Sequence, residues 1–255
     1  MQIRNHIKTK LTKVDVVLLC GGIGSRLATI VNDRPKPMAK INQQPFLDIL
    51  IDYFAGFGFR RFVLCTGHMS EVIQEYYNQK SSSLEFIVSD EKSPLGTAGC
   101  IKNAQKFIQS ESFFVANGDS FCSVNLFEFC NFHLSKQSLM TMAVTESEET
   151  GNGGLVRFDN SQKIVSFEEK IVQCQKGYIN TGLYLFRKNI LSLIPEHTKY
   201  SLEYNLFPRL TNKNSFAFIC REELIDIGTP ERYARAKRLF SVQTKKLKQE
   251  RAYAK

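Results

Sequence analysis

The chain has 255 residues, 43% of them hydrophobic and 23% charged, and a net charge of +9. That composition suits a soluble globular protein with one sizeable α/β domain or two small ones, and it contains no run of about 18 apolar residues able to cross a membrane. The positive excess sits at the ends: residues 1–13 and 241–255 each carry +4, leaving +1 for 14–240. A nucleic-acid binder would show a basic face on the folded body, so a basic N-terminal extension and a basic C-terminal tail, both solvated, are expected instead.

The first run, Val14–Cys20 (VDVVLLC), is apolar, β-branched and followed by Gly-Gly, the pattern of a buried strand feeding a turn. It is short, contains Asp15 and lacks a small-residue cleavage site, so it does not read as a signal peptide. Pro45–Phe57 has apolar residues at i, i+3 and i+4 and predicts a helix with one buried face. Arg61–Thr66 is a second strand, and Ser70–Gln79 a second helix with Ser70 as a candidate N-cap. Leu84–Ser89 is a third strand, Thr97–Phe107 a third helix and Phe113–Ala116 a fourth strand. This alternation predicts βαβ units on a parallel sheet.

The rhythm changes after about Thr145. Leu155–Phe158 and Ile164–Phe167 flank Asp159-Asn160-Ser161-Gln162, a hairpin turn. Tyr178–Phe186, Phe216–Cys220 and Glu223–Asp226 read as strands, and Thr229-Pro230-Glu231 opens a last helix. The seven cysteines include no CxxC pair, and the four histidines have no metal-ligand spacing. Reduced, buried thiols in a cytoplasmic protein are expected, with no zinc site.

Five segments carry chemistry. Gly21-Gly22-Ile23-Gly24-Ser25-Arg26 follows the first strand, and ligands in open α/β sheets bind at strand carboxyl ends. Glycines there bring backbone N–H groups close to phosphate oxygens. No Gly-Lys-Ser/Thr follows, and Leu27 stands where a dinucleotide fingerprint has its third glycine; such a turn also occurs as plain structure. Arg34-Pro35-Lys36-Pro37-Met38 braces one lysine between two prolines, which predicts a stiff extended segment. A lysine aimed at a phosphate benefits from that rigidity, and an ordinary Pro-rich loop is the alternative. Leu95-Gly96-Thr97-Ala98-Gly99 opens a helix whose backbone can approach a flat base, or is simply a helix start. Asn117-Gly118-Asp119 ends one strand and Asp226 another. Mg²⁺ takes one or two carboxylates beside substrate phosphates, yet spacing alone does not pair these aspartates, and each also suits a turn or a cap. Phe167-Glu168-Glu169-Lys170 and Asn180-Thr181-Gly182 form the fifth element, where charges on hairpins are commonly solvated.

In order, Leu-Cys-Gly-Gly-Ile-Gly-Ser-Arg-Leu and Arg-Pro-Lys-Pro-Met closely resemble the signature of the sugar-1-phosphate nucleotidyltransferases. Cys20 replaces the family's usual Ala and Ser25 its Thr. The likeness extends to Asp226-Ile227-Gly228-Thr229-Pro230 and so covers about 14–240. It implies a Rossmann-like, mostly parallel α/β sheet flanked by helices, with a small β-rich sugar-binding subdomain, the GT-A-like nucleotidyltransferase fold. The nucleotide-binding half would span about 14–145 and the sugar-binding half about 146–240.

The resemblance also implies roles. Arg26 would be catalytic, on the β- and γ-phosphates, with Lys36 catalytic at the α-phosphate and pyrophosphate. Leu19, Gly21, Gly22, Gly24, Ser25, Leu95, Gly96, Thr97, Asn117 and Gly118 would bind the nucleotide. Gly154, Glu169, Lys170, Asn180, Thr181 and Gly182 would surround the sugar phosphate, with Lys170 on the phosphate itself. Asp119 and Asp226 would hold Mg²⁺.

Some positions depart from the family pattern. Gly153 precedes Gly154 where the family has Tyr or Asn, and Ile171 replaces a proline. Thr97 and Gly99 stand where the thymidylyl branch has Leu and Gln, which is closer to the guanylyl branch. The implied partners are an NTP, GTP favoured, and a sugar 1-phosphate, with no nucleic acid and no membrane; a homo-oligomer stays open. Among short members the chain is most similar to guanylyltransferases acting on D-glycero-α-D-manno-heptose 1-phosphate in bacterial surface-polysaccharide pathways. Thymidylyl, cytidylyl or uridylyl transfer to another sugar, or an inactive nucleotide-sugar sensor, are the alternatives. The implied reaction needs no protein nucleophile, in keeping with the lack of a Ser/His/Asp or Cys/His arrangement, and proceeds by positioning and charge stabilisation.

Overall fold

A computed structural model describes residues 11–148, 153–169 and 176–253, with side chains to 241. Strand β1 (Asp15–Leu19) lies at its centre. Val16 and Leu18 join one hydrophobic cluster and Val17 the other, as in a strand covered on both faces. Asp15 is fully buried but satisfied. Its Oδ2 accepts the N–H groups of Gln109 at 2.6 Å and Ser110 at 2.8 Å, and its Oδ1 pairs with the Arg61 guanidinium.

Parallel strands flank β1: β4 (Arg61–Thr66) on one side with β5 (Glu85–Asp90) beyond it, and β6 (Ser112–Asn117) on the other. The order therefore reverses at β1, and a crevice opens at the carboxyl ends of β1 and β6. Next to β6 come β11 (Gly177–Arg187), the one antiparallel member of this row, then β8 (Met140–Ser147) and β12 (Ser215–Cys220). The hairpin of β9 (Leu155–Phe158) and β10 (Ile164–Glu168) joins the first half of β11. The result is one mostly parallel nine-stranded sheet that runs unbroken through both halves of the sequence.

One face of the sheet is covered by α1 (Phe46–Phe57), α4 (Leu126–Ser135) and α6 (Pro230–Tyr253), and the other by α3 (Gly96–Asn103) and α5 (Phe207–Leu210). Helix α2 (Ser70–Gln79) is tied to α1 through buried Asp48, which accepts the Tyr76 and Tyr77 hydroxyls at 2.6 and 2.8 Å. Helix α1 ends at Gly58, whose φ of 107° only glycine adopts cheaply.

Several local expectations change. Ser70 does not cap α2: Met69 holds the cap position at φ 54°, and Ser70 Oγ pairs with Thr66 Oγ1 at 2.8 Å. The helix expected over 97–107 breaks at Ala104 into α3 and a 3-10 turn, Gln105–Phe107. The strand expected over 223–226 is only β13 (Ile225–Asp226). Helix α4, capped by the Asn125 side chain, and strand β8 were not expected. Six cysteines are free, five of them buried, and Cys174 lies outside the described residues. No helix among the described residues is long and apolar enough to cross a membrane.

Two short pairings shape the site. Strands β2 (Lys40–Ile41) and β3 (Gln44–Pro45) form a small hairpin before α1. Strand β7 (Ser120–Phe121) pairs with β13, matching Ser120 to Asp226. That bridge, and an Ile227 N–H to Asp119 O bond of 3.0 Å, bring the two distant aspartates to one place.

Candidate nucleotide and sugar-phosphate site

The loop after β1 is pinned at both ends. Cys20 N–H donates to Cys65 O at 2.8 Å, and Leu27, 1% exposed, anchors the far end in the core. Between them, the N–H groups of Gly22, Ile23, Gly24, Ser25 and Arg26 donate no hydrogen bond among the described residues. Successive unengaged N–H groups at a strand terminus make a concavity suited to anions. Gly24 adopts φ 64°, and a Cβ there would meet the Lys36 stem at 3.1 Å, so loop and lysine pack directly together.

Lys36 is not extended, as expected, but opens a 3-10 turn, Lys36–Met38. Pro35 before it is extended, and Met38 N–H bonds back to Pro35 O at 2.8 Å. The shape is tighter than anticipated because Met38 N–H and Ala39 N–H bond back within the turn. Lys36 Nζ meets Asp119 Oδ2 at 2.8 Å.

Asp226 Oδ1 accepts the Gly228 N–H at 2.9 Å and a hydrogen bond from Arg232 Nη1 at 3.2 Å. Each aspartate therefore faces a cation of its own. Both line one cavity of about 220 Å³ with Arg26, Glu169, Asn180 and Gly182. Oxygen donors of this kind suit a hard cation such as Mg²⁺ completed by phosphates and water. Asn117 Oδ1, in the same cavity, is buried without a partner. The described residues hold no cluster of three or more His, Cys, Asp or Glu able to bind a metal without substrate.

A second cavity, about 470 Å³, lies on the other side of the loop. Leu19, Gly21, Gly22, Ile23, Gly96 and Thr97 line it, together with Glu91. Burial raises the Glu91 carboxyl above the usual range; the Leu95 N–H opposes this and Asp90 adds to it. A third space, about 180 Å³, contains Lys36 and Asp119 and shares Gly22 and Thr97 with the second cavity and Asn117 and Asp119 with the first. The three form a continuous groove with the Lys36–Asp119 pair at its waist.

The glycines explain the close fit. A Cβ on Gly118 would come within 2.7 Å of Leu19 O. One on Gly182, at φ 78°, would come within 2.7 Å of Asn117 Nδ2 and Ser120 Oγ. Gly154 is pressed against the Phe167 ring and Glu169. Asn180 donates to Tyr184 Oη at 2.7 Å and accepts the Gly182 N–H at 2.9 Å.

Not every expected residue lines the groove, and some that do are engaged with the chain itself. Leu95 lines a separate cavity of about 220 Å³ with Gly99 and Lys102. Gly96 and Gly99 make room for the chain's own backbone, since a Cβ on them would strike Tyr200 O at 2.9 Å and Thr198 O at 2.8 Å. Thr97 Oγ1 donates to Glu203 Oε2 at 2.7 Å, and Thr181 Oγ1 is buried against Ala143 O at 2.9 Å. Ser25 is exposed and lines none of the three cavities. Lys170 lies outside the described residues. Conversely, Glu91, Glu203 and Arg232 line the groove without having been anticipated. Only Glu91 had a legible signal, as a charge following the carboxyl end of a parallel strand.

Comparison with known proteins identifies the family. The family model described as nucleotidyl transferase matches residues 15–241. A D-glycero-α-D-manno-heptose 1-phosphate guanylyltransferase of Campylobacter jejuni is 36% identical over 220 residues, covering 86% of this chain and 97% of that protein. The enzyme of the same description from Aneurinibacillus thermoaerophilus is 31% identical, covering 88% and 97%. The crystal structure of HddC from Yersinia pseudotuberculosis complexed with GMP-PN superposes with a TM-score of 0.78 at 34% identity, covering 89% of this chain and 99% of that one.

Proposed function

Since this chain belongs to the nucleotidyl transferase family, we propose that it transfers GMP from GTP to D-glycero-α-D-manno-heptose 1-phosphate, releasing pyrophosphate. The observation that carries this is the continuous groove: a nucleotide-sized cavity and a sugar-sized cavity meet at one lysine and two carboxylates. The choice of base and sugar is supported by the activities named for two relatives, and by the GMP-PN complex of HddC.

In the proposed reaction a phosphate oxygen of the sugar 1-phosphate attacks the α-phosphorus of GTP in line. The bond from the α-phosphorus to the bridging oxygen breaks, and pyrophosphate leaves with that electron pair. The difficulty is bringing one anion up to another, so the protein's task is alignment and charge compensation. The N–H groups of Gly22 to Arg26 receive phosphate oxygens. Lys36 gives up Asp119 to stabilise charge at the α-phosphate, and Arg26 stabilises the departing pyrophosphate. Gly154, Glu169, Asn180 and Gly182 form the sugar wall, where Glu169 accepts sugar hydroxyls. Lys170 is assigned to the sugar's phosphate. Asp119 and Asp226 would hold a divalent cation of the Mg²⁺ type, which supplies positive charge at the reacting phosphates when bound.

The test is pyrophosphate release with Mg²⁺, each of the NTPs and a panel of sugar 1-phosphates. The pair of GTP and the heptose 1-phosphate should give the highest kcat/KM. A higher value for another pair would overturn the choice of substrates, and no release from any pair would overturn the activity.

A further inference from the structure

We propose that Glu203 binds a hydroxyl group of the sugar, and that Thr97, from the nucleotide side, positions it to do so. This rests on the proposed nucleotidyl transfer and gives the sugar wall a second acid beside Glu169. Glu203 lines the sugar-side cavity and neither of the other two, whereas Thr97 lines those two and not the first. The 2.7 Å hydrogen bond from Thr97 Oγ1 to Glu203 Oε2 therefore crosses from one side of the groove to the other.

The direction of that bond is fixed by the backbone around it. Thr97 Oγ1 accepts the Leu202 N–H at 2.8 Å, and Ser201 Oγ accepts the N–H groups of Glu203 at 3.1 Å and Tyr204 at 3.2 Å. Each hydroxyl has one proton to give, and both give it to Glu203 Oε2, at 2.7 and 2.6 Å. The backbone ties the same two segments together: Tyr200 O accepts the N–H groups of Ala98 and Gly99, both at 2.9 Å, and Leu95 O accepts the Tyr200 N–H at 2.8 Å. Oε2 is thus engaged twice. Nothing among the described residues donates to Oε1, and Oε1 is not one of the atoms buried without a partner, so it opens on free space.

Four carboxylates, Asp119, Glu169, Glu203 and Asp226, line this cavity with Arg26 and Arg232. Asp119 and Asp226 meet cations, Lys36 and Arg232. Glu203 is held by hydroxyl groups, and no three acids among the described residues come together as a metal site. Such a carboxylate repels phosphate and suits the uncharged part of the substrate, where each desolvated hydroxyl needs an acceptor. Its charge also reaches the floor of the cavity. Burial holds the Tyr184 phenol well above its usual range, Glu203 is the next largest cause, ahead of Glu169 and Asp119, and Tyr184 Oη accepts the hydrogen bond of Asn180.

The experiment compares wild type, Glu203→Gln, Thr97→Val and Thr97→Ser in steady-state kinetics, with the heptose 1-phosphate and with analogues lacking one hydroxyl each. Glutamine can keep its carbonyl oxygen on Thr97 and Ser201 but puts an amide where the charged acceptor was. The KM for the sugar 1-phosphate should rise about 10-fold in Glu203→Gln, and that for GTP should stay within about threefold of wild type. One deoxy analogue, penalised in wild type, should lose that penalty in Glu203→Gln. Thr97→Val should raise the sugar KM and spare that of GTP, although Thr97 lines the nucleotide side, and Thr97→Ser should restore it. A sugar KM unchanged in Glu203→Gln, a rise shared equally by GTP, or deoxy penalties undiminished across the panel would overturn the inference. Calorimetric titration of the same sugars, with a GTP analogue whose α–β bridge does not cleave, reads binding without turnover. An inactive wild type would therefore overturn the proposed function, while the titration still decides the role of Glu203.

Discussion

Replacing Lys36 by methionine separates what that lysine does for the fold from what it does for the reaction. Its Nζ is 2.8 Å from Asp119 Oδ2, with the two side chains 15% and 36% exposed. With the Asp119 end this exposed, the pair contributes up to about 1 kcal/mol to stability, or about 2–4 °C in Tm for a domain of this size. The stem matters too, because the Lys36 Cβ and Cε press on Gly24. Methionine keeps that apolar stem, whereas alanine removes it along with the charge. By contrast, removing one positioned charge from an anionic transition state costs about 3–4 kcal/mol, or roughly 10²–10³ in rate. Thermal melts and pyrophosphate release measured on the same sample should therefore diverge: Tm lower by no more than about 4 °C, and kcat lower by at least about 10². Turnover within tenfold of wild type, or a loss no larger than the lost folded fraction, would refute the reasoning.

Other perturbations test the rest of the frame. Asp226→Asn retains an oxygen for the Gly228 N–H but not the charge; turnover should fall at least about 10²-fold with the circular dichroism spectrum unchanged. Gly182→Ala forces a Cβ onto φ 78° and into Asn117 and Ser120, which should cost about 1–3 kcal/mol in urea denaturation. Wild-type stability in that variant would mean that β11 relaxes around the methyl group. His133 is buried, with Nδ1 2.9 Å from Thr141 Oγ1 and Nε2 unpartnered; burial, with a lesser contribution from Arg187, lowers its pKa from 6.5 to about 4. The unfolded chain takes up a proton below pH 6.5 that the folded chain refuses until about pH 4. Stability should thus fall across that window by about 3 kcal/mol in all. His133→Gln should flatten the profile, and an unaltered slope would assign the acid sensitivity to other groups.

The parallel half of the sheet was legible because β1, β4, β5 and β6 are continuous apolar runs separated by helical periodicity. The antiparallel half was only partly so. Strand β8 carries Thr141, Thr145, Glu146 and Ser147, and its buried threonines are satisfied by His133 and by Glu222 O, partners invisible in a local window. The glycine-rich loop, Lys36 and both aspartates were legible as ordered motifs. The convergence of the aspartates was implied by the family resemblance alone, because it depends on a two-residue pairing of β7 with β13 that no periodicity reveals. Nor does a local window show that Gly96, while it lines the larger cavity, and Gly99 also leave room for the 198–200 backbone. Arg232 follows a helix cap, where a basic residue suggests only solvent exposure.

The pairing of β7 with β13 also sets an order of events during synthesis. Arg26 and Lys36 emerge early from a ribosome, and the central strands can pair while the second half is still being made. Asp226 and Arg232 come far later, and α6 packs on the earlier chain, with Tyr233 Oη bonded to Lys40 O at 2.6 Å and the Phe240 ring against Phe46 and Phe121. A nascent chain thus carries Arg26, Lys36 and Asp119 without Asp226 until β13 has paired with β7. Activity should appear as a single late step in a series of stalled nascent chains, rather than growing with length.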